Sequence, residues 1–83
     1  MINENIAKRK LDKLFADDPE GRAWVWVEVQ SKFDERMYGS ARWITKEKLK
    51  NRKIKYSEQI NGIKITLLDT KYNPKTFKYD KPL

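Results

Sequence analysis

The stretch Arg22–Gln30, RAWVWVEVQ, constrains the fold more than any other part of the chain. Its side chains alternate strictly, and a period of two belongs to a β-strand, whose successive residues point to opposite faces. Ala23, Val25, Val27 and Val29 fall on one face. Trp24, Trp26, Glu28 and Gln30 fall on the other. The valine face must pack on a core. The tryptophan face admits two readings. Adjacent exposed indoles can stack on unpaired bases. Alternatively, Trp24 and Trp26 cover a second core layer with Glu28 at the wet end. The second reading is preferred, because large aromatic side chains are usually well buried.

The other segments fill in around this strand. Asn3 to Asp17 reads as a helix, with Ile6, Ala7, Leu11, Leu14 and Phe15 recurring at helical spacing. Lys8, Arg9, Lys10 and Lys13 fall largely off that stripe, as a solvated face does. Asp17-Asp18-Pro19-Glu20-Gly21 ends the helix and turns the chain. Ser31 to Tyr38 reads as a short helix, with Phe33 and Met37 one turn apart and Gly39 as its stop. Thr45 is placed to cap a second short helix, Lys46 to Asn51. It is too short to stand alone, so it must dock through Trp43, Ile44 and Leu49.

Lys53 to Leu68 carries the clearest hairpin signal. Asn61-Gly62 between two strand-like runs predicts a tight type I′ turn. That turn sets Glu58 opposite Ile65 and Tyr56 opposite Leu67, a poor first pair that suggests a bulge. Lys53, Lys55 and Lys64 then project from the same, less apolar side. Thr70 to Leu83 keeps Tyr72, Phe77 and Tyr79 between Pro74 and Pro82. It reads either as one more edge strand or as a flexible tail. The expected fold is thus a small single α+β domain over residues 1–83, with an N-terminal helix, a small antiparallel sheet and two short helices. The same element order also fits a winged helix, with Lys46–Asn51 as recognition helix and the Asn61-Gly62 tip as wing.

Composition narrows the chemistry. Eighty-three residues with 39% hydrophobic residues suit one modest core. No apolar run approaches the roughly 18 residues that span a bilayer, and MINENIAKRK lacks the apolar core of a signal peptide. No Cys is present, so a reducing, cytoplasmic setting is expected. Without His or Cys the usual triads, thiol nucleophiles and zinc sites are excluded. Neither HExxH, a P-loop nor GxGxxG occurs. Carboxylates could still serve a magnesium-dependent nuclease, but those present lie mostly on expected surface helices and turns. The expectation is a non-enzymatic protein without a cofactor.

Charge points to a partner. Residues 1–41 hold seven basic and eight acidic side chains, whereas residues 42–83 hold twelve and four, for a net +7 overall. A positive face of this kind attracts phosphate backbones or acidic proteins. Its densest part is RWITKEKLKNRKIKY, Arg42 to Tyr56. Lys46, Lys48, Lys50, Arg52, Lys53, Lys55 and Lys64 are the candidate phosphate contacts, and Arg42 and Tyr56 the candidate stacking groups. Trp43 is expected to anchor the run in the core. The bland alternative is that the lysines keep a small domain soluble and blunt a hairpin edge.

Gly39, Arg42, Trp43, Ile44, Thr45, Lys46, Lys50, Ile54, Lys55, Glu58, Gly62, Ile63, Lys64 and Ile65 lie in GSARWITKEKLKNRKIKYSEQINGIKI. Over residues 39–65 this segment resembles the N-terminal domain of ArdC-type antirestriction proteins. The resemblance implies non-specific binding of single-stranded DNA in a plasmid, conjugative element or phage. A second class of partner is an acidic host protein, bound and inhibited by a small phage-type protein. Trp24, Trp26 or Tyr72 would then be the buried anchors.

Overall fold

The computed structural model describes residues 2–83. Helix α1 spans Ile2–Asp17. Ala7, Leu11 and Phe15, spaced four apart, are its buried positions, so one stripe meets the core as its period requires. Leu14, expected on that stripe, is substantially exposed. Gly21, at φ 67°, takes the left-handed conformation in the turn that follows. The Asp18 carboxylate accepts the main-chain N–H groups of Glu20 and Arg22, both at 2.9 Å. The Arg22 N–H bond is the main reason that this carboxyl is held below its ordinary range.

Strand β1 is Arg22–Ser31 and β2 is Met37–Thr45, paired antiparallel along their length. Strand β3 is Ile54–Gln59 and β4 is Gly62–Asn73, a second antiparallel hairpin. The two hairpins join through their inner strands, because β1 and β4 pair in parallel. The sheet order is β2-β1-β4-β3, and a two-residue β5, Lys78–Tyr79, pairs with β4. The fold is α+β, as expected, but its sheet is mixed. Among the described residues, no helix is long and apolar enough to cross a membrane.

The valine face of β1 is the core face. Ala23, Val25 and Val27 pack with Ile44 of β2, with Ile63, Ile65 and Leu67 of β4, and with α1. Burying this apolar set contributes at about 25 cal/mol per Å² removed from water.

Three expectations are corrected. Ser31–Tyr38 is not a helix. Its first part is a connecting turn, in which Ser31 N–H donates to Arg36 O at 2.7 Å and Asp34 accepts from Arg36 N–H at 2.9 Å. Its last part belongs to β2. Phe33 and Met37 both face solvent, so no apolar stripe holds a helix there. A β1 partner that buries Ile44 wins instead.

The second short helix, α2, is only Lys46–Leu49. Thr45 caps it as expected, accepting from Lys48 N–H at 3.4 Å, and Leu49 is buried. Asn51, at φ 62°, lies just past its end. A single turn cannot serve as the recognition helix of a winged helix.

The hairpin register also differs. Gln59 pairs with Gly62, Glu58 with Ile63, Tyr56 with Ile65 and Ile54 with Leu67, so the loop residues are Ile60 and Asn61. The expected Asn61-Gly62 turn would need a positive φ at both residues, and only Gly62 has one. A two-residue shift leaves every side chain on its expected face. It sets Ile54 and Tyr56, rather than Tyr56 and Glu58, against the buried Leu67 and Ile65. Glu58, at the wet end, instead pairs with Lys10 of α1.

The tail is tied down rather than loose. Between Leu67 and Lys71, strand β4 bulges away from β1. Asp69 in this bulge accepts from Arg52 Nε at 2.8 Å and Nη2 at 3.0 Å. Arg52 also donates to the carbonyls of Lys81 and Pro82, at 3.2 and 3.1 Å. Lys81 N–H donates to Thr70 Oγ1 at 2.8 Å, and Leu83 packs against the core.

Candidate nucleic-acid interface

The lone long helix of this fold covers one side of the sheet. The other side, which carries the alternate residues of β1, has no second layer over it among the described residues. Trp24 and Trp26 therefore stand on a bare face, 53% and 37% exposed. The expectation that they cover a second core layer is overturned. Trp43 joins them, because β1–β2 pairing sets it directly opposite Trp24. At 48% exposed it is not a core anchor. Its neighbours Ile44 and Leu49 take that role.

Local contacts fix how the indoles lie. Trp24 and Trp43 meet edge to face, with ring centroids 5.2 Å apart and planes at 64°. The Arg22 guanidinium lies over the Trp43 ring at 4.4 Å, a cation–π arrangement. Trp26 lies across Gly39, where a Cβ would fall 2.6 Å from Trp26 Nε1. Gly39 is thus the seat of this indole, not the stop of a helix. Gly39→Ala is expected to lift the ring, changing tryptophan fluorescence and costing about 1 kcal/mol of stability in a denaturant titration.

Cations border the indoles. The register puts Lys64 beside Trp26 and Thr66 beside Glu28. Lys55, one strand further out, is opposite Thr66. Arg22 pairs with Glu20 at 3.2 Å and Asp18 at 3.6 Å, and Glu28 lies 3.5 Å from Lys64 Nζ. Both side chains of that pair are partly exposed, so the pair holds weakly and leaves Lys64 able to meet another anion. Lys71 Nζ donates to Gln30 Oε1 at 2.6 Å on the same face. The resulting surface presents flat π-systems flanked by positive charge.

The structure divides the basic run of the sequence. Lys64 stands beside Trp26, and Lys55 lies one strand further out on the same side of the sheet. Arg42, opposite Val25 in register, points to the helix side. Lys46 and Lys50 border a cleft of about 610 Å³ between α1, α2 and β3, together with Lys8, Asp12 and Tyr56. Lys48 is exposed on α2. Tyr56 also belongs to the helix side, half-buried, with Lys8 Nζ 5.6 Å from its ring centre. Burial raises its phenol above the usual range, and Asp12 and Glu4 add to the effect. Arg52 commits its guanidinium to Asp69 and to the tail, and its side chain is only 7% exposed. Lys64 gains the tryptophan neighbourhood, whereas Arg52 and Tyr56 do not reach it.

Arg22 is the member of this face that sequence reasoning passed over, whereas Trp43 was expected in the core. A signal for the bare face was present. Apart from the Asn3–Asp17 stripe, no segment has the length and periodicity to cover a second sheet surface.

Fold and face together define a class: a small α+β domain that presents an uncovered aromatic and basic sheet surface. Compared with known proteins, the chain matches no family model, no curated protein and no solved structure.

Proposed function

We propose that this chain binds single-stranded nucleic acid on the bare face of its sheet, with little regard to sequence. The observation that carries the reading is the exposure of Trp24, Trp26 and Trp43 together on a face that no other described element covers. Unpaired bases offer a π-face to each indole, whereas bases within a duplex are stacked on one another. Arg22 lies over Trp43 and Lys64 beside Trp26, with Lys55 one strand further out on the same side, where phosphates of a stacked strand would pass. The resemblance of residues 39–65 to ArdC-type domains implies the same ligand class. The proposal moves the contact from the continuous basic run to the sheet.

Fluorescence anisotropy with labelled single-stranded and duplex oligonucleotides, at low and moderate salt, tests this. Single strands are expected to bind more tightly than duplex, and the affinity to fall as salt rises. Lys55→Ala and Lys64→Ala should each reduce the slope of log affinity against log salt by about 0.7. Negligible binding to either nucleic acid at low salt overturns the proposal. A stoichiometric protein partner retained from a lysate after nuclease treatment would assign the tryptophans to an inhibitor surface instead.

A further inference from the structure

The sheet has two outer strands, and only one of them is protected. Strand β3 lies along α1, whose Glu4 carboxylate accepts the Tyr56 main-chain N–H at 3.2 Å. Lys10 of α1 pairs with Glu58 on the same strand. Lys53 and Lys55 add charge that discourages pairing with another strand.

Strand β2 has none of these devices. It runs for nine residues with unbroken register to β1, so no bulge interrupts it. It contains no Pro and no Lys, and Arg42 is its one charged residue. Gly39, Ser40 and Ala41 at its centre are small and exposed. In an antiparallel edge strand, alternate residues turn their N–H and C=O groups away from the neighbouring strand. Among the described residues, no group outside β1 is hydrogen-bonded to the main chain of residues 38–44. Such an edge is a template for a further strand.

We infer that the free edge of β2 pairs antiparallel with β2 of a second copy of this chain, across a two-fold axis near Ser40 and Ala41. A strand pairing with its own copy satisfies both unpaired edges with one closed contact. The small, exposed central residues favour this occupant, because they let the two backbones approach, and with Arg42 as its one charged residue β2 sets only one like charge per copy against it. The net charge of each copy, +7, opposes association at long range. Added salt therefore strengthens the dimer, the reverse of its effect on nucleic-acid binding. The inference does not rest on the nucleic-acid reading.

Sedimentation of the full chain without nucleic acid, from about 10 µM to about 1 mM, is read together with amide hydrogen exchange at both extremes. The expected result is a monomer–dimer equilibrium that salt shifts towards dimer, with protection gained on concentration in peptides covering residues 38–44. Ser40→Lys, at an exposed position on the face away from the tryptophans, should raise the dimer dissociation constant at least about tenfold by setting like charges at the axis. A chain that stays monomeric throughout overturns the inference. So does a dimer whose β2 amides stay unprotected, or one that Ser40→Lys leaves unchanged.

Discussion

Replacing Trp24 and Trp26 together with alanine is expected to weaken single-strand binding by at least about 30-fold. Each base–aromatic stack contributes about 1–3 kcal/mol, so two lost stacks remove at least about 2 kcal/mol. The fold should survive. Both indoles lie on the face away from the core of valines, Ile44, Ile65 and Leu67. The thermal midpoint should fall by no more than a few degrees. Paired phenylalanine replacements at the same positions keep a stacking surface and should restore most of the affinity. Anisotropy titrations of the three proteins, alongside thermal unfolding by circular dichroism, check the prediction. Unchanged affinity in the alanine variant would remove the bare face from the binding site and return attention to Lys46 and Lys48 on α2 and Lys50 just past its end.

The second large effect is on stability. Asp69→Asn should destabilise the domain by about 2 kcal/mol, between the value of an exposed ion pair and that of a buried one. The placement of the pair sets this scale: the Arg52 and Asp69 side chains are 7% and 12% exposed. Loss of the carboxylate strands the guanidinium that also holds the Lys81 and Pro82 carbonyls. The tail from Lys78 onward should consequently become more open to protease.

This contribution depends on pH in a definite sense. Hydrogen bonds from Arg52, then from the Lys53 N–H and Lys81, hold the Asp69 carboxyl far below the ordinary aspartate range. A group whose pKa is lower in the folded state stabilises fully above its unfolded value, near 3.9. The contribution is lost as pH falls from there towards the folded value. The gap in stability between the parent and Asp69→Asn should thus be constant at neutral pH and narrow below about pH 4. Urea titrations of both proteins at neutral pH and at decreasing acid pH measure it. A gap that stays constant into acid would mean that the carboxylate is not the stabilising group.

How much of this was legible in the sequence follows from the range of the interactions concerned. Alternation in RAWVWVEVQ assigned each side chain of β1 to its face, because a strand has only two faces. The Ala7, Leu11 and Phe15 spacing marked the stripe of α1 that docks on the sheet. The sides of Lys55 and Lys64 were right even though the turn was misplaced, because a register shift of two preserves side. Thr45 and Leu49 were read correctly as cap and inward contact, since both act within one helical turn.

The errors share a different cause. Ser31–Tyr38 has local helix signals, yet pairing with β1 decides its conformation. The fate of Trp24 and Trp26 depended on whether a second layer would form, which the alternation within β1 does not report; only the lack of a second long helical segment elsewhere in the chain signals it. The basic run from Arg42 to Tyr56 is continuous in sequence but crosses a strand end, a helical turn and a second strand. Its charges consequently separate onto different sides of the molecule.

The sequence by itself determined the two faces of β1, the docking stripe of α1, the sign of the charge and the absence of His and Cys chemistry. These follow from side-chain type and from spacing over a few residues. Only the tertiary structure decided that β1 and β4 run in parallel and that one helix leaves half the sheet bare. It also decided that Arg22, Trp43 and Lys64 meet beside Trp24 and Trp26. The reason is physical: which surfaces are buried is settled by competition among all segments for a small amount of core, and the tryptophan face was left to the solvent.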